Sequence, residues 1–199
     1  MTEAERAEQN RAFEEAAGIV KKEMPLDARE DSSPPGWFLR RKLARALSLF
    51  ERVIQLNPAN WSALWLMGKV HLRLQNSDAA LSCFERAHQA NPAQPEIARE
   101  ASRCAMDLGL HEAAVDFAQR AVQMDPNSCA LRANLSLACL IAGLLPDAQL
   151  AANQAVMGDP AERYYQTLKA MARHFGANGS TPPPTPAALF EYWRKNGER

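Results

Sequence analysis

Net charge is the first thing missing from this sequence. Lys and Arg number 23 and Asp and Glu also number 23, so the 199 residues carry no formal net charge. That balance gives no general drive toward nucleic acid or anionic lipid, and leaves only local patches to consider. A long apolar run is also missing: none approaches the roughly 18 residues that cross a bilayer, so no membrane insertion is expected. The start, MTEAERAEQNRAFEE, is too charged for a secretory signal peptide, and a cytoplasmic location is expected. Four cysteines, Cys83, Cys104, Cys129 and Cys139, form no CxxC pair; they read as small apolar residues of helix packing rather than zinc ligands. There is no Gly-rich phosphate loop and no HExxH. The histidines, His71, His88, His111 and His174, lie far apart. No catalytic residue, metal or cofactor is therefore expected. β-Branched residues are sparse while Ala and Leu are abundant, which favours helix. With 47% hydrophobic and 23% charged residues, the chain has the composition of a folded domain.

What is present is a period. Pro58, Pro92, Pro126 and Pro160 follow one another at intervals of 34 residues. The best-formed unit is Trp61 to Pro92, in which Leu64, Met67, Gly68, His71, Ala80, Phe84 and Ala87 precede the proline. Residues 95–126 repeat the pattern with Ala98, Ala101, Ser102, Ala105, Gly109, Ala114, Ala118 and Ala121. Residues 129–160 repeat it with Arg132, Leu135, Ser136, Cys139, Gly143, Ala148, Ala152 and Ala155. Small residues at 68, 102 and 136 and at 80, 114 and 148 would let two antiparallel helices approach. Gly109 and Gly143 suit the turn between them, and each terminal Pro stops a second helix.

This arrangement resembles the tetratricopeptide repeat (TPR) family, whose pattern is a large residue, x2, Leu-Gly, x2, Tyr, then Ala-x3-Phe-x2-Ala and a terminal Pro. The resemblance implies an all-α fold: a right-handed TPR superhelix of antiparallel helix pairs, with four repeats plus a capping helix. The first repeat, about 10–58, is degenerate. Phe13, Ala16, Ala17 and Val20 match its first helix, but its second helix needs Ala46, Phe50 and Val53, so an insertion separates them. The segment 25–36, rich in Pro, Ser, Asp and Gly, is expected to be a loop. A solenoid over 1–176 is expected, with repeats at 61–92, 95–126 and 129–160 and a capping helix at 161–175. Residues 177–199 form a Pro-rich linker and a short C-terminal helix or tail.

In TPR proteins the first helix of each unit lines a concave groove, and the resemblance carries that role onto numbered positions here. The groove residues it implies are Trp65, Lys69, Leu72, Arg73, Arg99, Arg103, Met106, Asn134, Leu137 and Ile141. Lys69, Arg99 and Arg103 would make a basic cluster suited to carboxylates. Leu72, Met106, Leu137 and Ile141 would make an apolar strip, which marks an interaction site when exposed. Arg99, Arg103 and Asn134 follow a chaperone-binding carboxylate clamp only loosely. The expected function is a non-catalytic scaffold or adaptor that binds a peptide segment of a protein partner, with a chaperone-like role as its narrower form. The alternatives are a self-associating protein, a homodimer through groove or tail, and a regulatory subunit of an enzyme complex. Phe190, Tyr192 and Trp193 are costly to leave in water, so the tail is itself a candidate plug for the groove.

Overall fold

The computed structural model describes residues 1–24 and 33–197. Most of the expected loop, residues 25–32, lies outside the described residues. Among those described there are ten helices. The chain divides into two compact units, Met1–Pro92 and Ala93–Arg199.

The first unit holds α1 (Glu3–Glu23), α2 (Trp37–Leu56), α3 (Trp61–Arg73) and α4 (Ser77–Ala90). Thr2 and Glu5 open α1 with reciprocal backbone bonds, which satisfies two orphan N–H groups at once. Asn60 and Asn76 cap α3 and α4 by accepting from Ala63 and Ala79. α1 pairs antiparallel with α2 and α3 with α4. An exposed ladder follows the first pair: Glu8 with Arg52 at 2.8 Å, Glu15 with Arg45, and Glu23 with Lys42 at 2.8 Å. Beneath it, Ala12, Ala16, Val20, Leu43, Ala46, Phe50 and Val53 are buried with Ala63, Met67 and Val70.

The second unit holds α5 (Pro95–Asp107), α6 (His111–Met124), α7 (Cys129–Ile141), α8 (Leu145–Gly158), α9 (Arg163–Asn178) and α10 (Pro186–Asn196). α5 pairs with α6 and α7 with α8, while α5, α7 and α9 pack side by side as a layer of first helices. The turns are set by Gly109 and Gly143, both at positive φ. The N–H of Gly109 reaches Met106 O and that of Leu110 reaches Ala105 O, closing α5 with a Schellman motif. Gly143 and Leu144 do the same for α7 through Leu140 O and Cys139 O. In α5 and α7 the small residue of the pattern is a serine that ties its helix to the next one. Ser102 Oγ donates to Ala114 O at 2.8 Å, and Ser136 Oγ to Ala148 O at 2.9 Å.

The repeat register continues past residue 160. α5 starts at 95, α7 at 129 and α9 at 163, so the expected capping helix stands where the first helix of a further repeat would begin. A second helix in register would start at 179. Instead Gly179, at positive φ, ends α9, and α10 begins only at Pro186. Within the expected linker and tail, Pro186–Asn196 form the short helix α10, which falls in the second unit.

Candidate functional site

The ten residues expected to line a groove fall in both units. In the first unit they are on α3. Trp65 is half-buried against the core, and its Nε1 is enclosed without a hydrogen-bond partner among the described residues. Lys69, Leu72 and Arg73 are half-buried as well. Arg73 Nη1 donates to Ser33 O at 2.7 Å, so the arginine holds the chain just after the undescribed segment.

In the second unit the expected residues lie on α5 and α7, and they divide into three kinds. Arg99 and Arg103 are braced by their own helix. Glu100, only 2% exposed, accepts from Arg99 Nη2 at 3.1 Å and from Arg103 Nη1 at 3.2 Å. This carboxylate sits beneath both guanidiniums, and their forks are partly committed to it. Asn134 is a packing residue: its Nδ2 donates to Ser102 Oγ at 3.1 Å and links α7 to α5. That bond removes it from the loose carboxylate-clamp pattern. Met106, Leu137 and Ile141, expected as an exposed apolar strip, are instead buried.

What covers them is α10. It lies against α5 and α7, and Leu189 is 0% exposed in one cluster with Met106, Leu137, Leu140, Ile141, Leu168 and Met171. Phe190, Tyr192 and Trp193 pack partly buried against the same cluster. α9 supplies the rest of the seat. Tyr164 stacks on Phe190 at 6.1 Å between ring centroids, and Phe175 meets Tyr192 at 5.4 Å. His174 lies edge-on to Trp193 at 5.6 Å, with Nε2 3.4 Å from the Tyr192 hydroxyl. Desolvation on its packed side pushes the Tyr164 phenol up to about 12, with Arg103 opposing the shift, although the residue stays 38% exposed. The approach to α10 is pinned where His111 Nε2 donates to Pro184 O at 3.0 Å. Thr185 then caps the helix by accepting from Ala188, and Pro186 stands in the first turn, where a missing N–H does no harm.

α10 therefore packs on a layer of first helices made by α5, α7 and α9. The sequence reading omitted Leu168, Met171, His174 and Phe175 from it. Their signal was the register, since α9 starts 34 residues after α7. Among the described residues no group of three metal-ligating side chains converges, and no helix is long and apolar enough to cross a membrane.

A family model described as Tetratricopeptide repeat matches residues 40–77 and again 66–128. The matched stretch is built of tetratricopeptide repeats. Solved structures agree in fold. MamA is matched at 13% identity over 96% of this chain and 97% of that one, with a TM-score of 0.70. YrrB, described as a TPR protein with an unusual peptide-binding site, is matched at 18% identity over 87% and 86%, with a TM-score of 0.64. PilF of Pseudomonas aeruginosa is matched at 10% identity over 99% and 79%, with a TM-score of 0.63. No curated protein sequence matches the chain. Repeats of this kind present extended surfaces for contact with other proteins, and this chain is a protein-interaction scaffold in that general sense.

Proposed function

We propose that this protein is an adaptor that receives a short amphipathic helix of a partner on the α5, α7 and α9 layer, and that α10 fills that seat in cis. The observation that carries the reading is the burial of Leu189 among Met106, Leu137 and Ile141. α10 thereby displays the ligand chemistry: an aliphatic anchor at 189 with aromatics at 190 and 193, preceded by a Pro-Thr-Pro entry. This is the helix-in-groove mode, read as anchors one turn apart. α10 is also a weak latch. It has 11 residues and one fully buried side chain, and helices this short are marginal in water.

A labelled peptide of residues 182–197, followed by fluorescence anisotropy, tests the seat. A tethered competitor acts at an effective concentration of about millimolar, and apparent affinity falls with the fraction of seat left open. The Leu189→Asp chain, whose own helix is unseated, should bind the peptide at least about tenfold tighter than the wild type does. A folded Leu189→Asp chain that ignores the peptide, or one no better than wild type, refutes the seat. A second reading, a homodimer, draws on the same helix: the short Pro-rich link before α10 would let it reach the seat of a second copy. Light scattering across concentration separates the two, since exchange predicts a mass that rises with concentration and is lost in Leu189→Asp.

A further inference from the structure

Second helices of the repeats begin at Ser77, His111 and Leu145. The position 34 residues before Ser77 is Leu43, and Leu43 is where burial in α2 begins. α2 nonetheless starts at Trp37, so residues 37–42 form an added run of about 9 Å at 1.5 Å per residue. Lys42 still pairs with Glu23, the last residue of α1. Residues 37–41 therefore project past the end of their partner helix.

Leu39 packs inward against the first unit's core, and the rest of the overhang has an unusual composition for an exposed surface. Trp37 is 64% and Phe38 76% exposed, and their rings lie edge-to-face at 4.8 Å. Arg41 stands over the Trp37 ring at 5.8 Å. Arg40 turns its Nε to Pro35 O at 2.9 Å. Neither arginine has a carboxylate partner among the described residues. Lys21 and Lys22, exposed in the last turn of α1, stand at the same end of the pair.

We propose that the projecting start of α2 is a docking site for an anionic lipid surface. Trp and Phe suit the headgroup region because one end of the ring system is apolar and its surroundings are wet. Cations flanking them gain from the negative surface potential. The site presents a tip rather than a groove, which fits a planar surface better than a peptide. It needs no spanning segment: an interfacial contact of this kind is reversible and salt-sensitive.

The test is sedimentation of the full-length chain with vesicles of phosphatidylcholine alone and of an equal mixture with phosphatidylglycerol. Binding to the anionic vesicles only is expected, weakening as salt is added. Trp37→Ala/Phe38→Ala should abolish it. Arg40→Glu/Arg41→Glu should weaken it by at least about tenfold, since each cation near the surface is worth about fivefold. All four side chains are exposed, so thermal unfolding should match wild type and show that the fold is retained. Quenching of tryptophan emission by brominated lipid should disappear in Trp37→Phe. No binding to anionic vesicles, or binding that survives both double substitutions, overturns the proposal. So does a patch that captures a protein and no vesicle.

Discussion

One methyl group decides how closely α3 approaches α4. A Cβ on Gly68 would stand 2.5 Å from the Phe84 ring, and Phe84 is fully buried with nowhere to swing. The two later repeats solve the same contact differently. Where the first unit has Gly68 and Phe84, they have Ser102 with Ala118 and Ser136 with Ala152. A smaller residue on the second helix leaves room for a hydroxyl on the first, which then bonds across. The size exchange was visible in the sequence, as was the need for something small; the hydroxyl bond was not, because it depends on which carbonyl the turn delivers. Gly68→Ala should destabilise the chain by about 1–3 kcal/mol, the usual range for overpacking, read by urea unfolding. Combined with Phe84→Ala it should cost less than the sum of the two single changes. Strict additivity would remove the steric account.

At the scale of elements, the turns show how much of the fold the period alone could tell. Gly109 and Gly143 were legible as turn residues because only glycine takes positive φ without strain. The matching turn after α3 uses Gln75 at φ 62, with Gln75 N–H to Leu72 O and Asn76 N–H to His71 O. Here backbone geometry is kept by the tertiary pairing of α3 with α4, against the residue's own preference. Left-handed geometry costs an L-residue roughly 1–2 kcal/mol, and glycine loses about half of that again through unfolded-chain freedom. Gln75→Gly should therefore raise stability by about 0.5–1 kcal/mol in denaturant titration; a loss of stability would show that the Gln75 side chain matters more than its φ. α10 marks the limit of such reading. Its helicity and its apolar residues could be read from residues 186–196, and its aromatics made it a candidate plug, but the set of helices it meets could not be read. An 11-residue helix is placed by the surface it meets, and here that surface is assembled from α5, α7 and α9, far apart in sequence.

For the molecule as a whole, the groove residues expected from the family pattern separate by environment rather than acting together. Lys69, Leu72 and Arg73 stay half-buried on α3, Arg99 and Arg103 are held by Glu100, Asn134 is bonded to Ser102, and the apolar strip is covered. The family pattern named positions on the first helices, and the apolar tail, expected as a candidate plug, is the element that packs on α5 and α7. Zero net charge was a half-truth, because the sum hides a basic, aromatic tip at the start of α2. The central claim, that the α5, α7 and α9 layer is a helix seat occupied by α10, is most directly tested by methyl NMR of the methionines. There are seven, and Met106 and Met171 lie in the cluster beneath Leu189. In wild type their methyl signals should be displaced from the free-chain position by the surrounding packing. In Leu189→Asp these two should move toward it while the others hold, and adding the peptide of residues 182–197 should bring them back. Signals that stay in place in Leu189→Asp, or that the peptide leaves unmoved, would contradict the account.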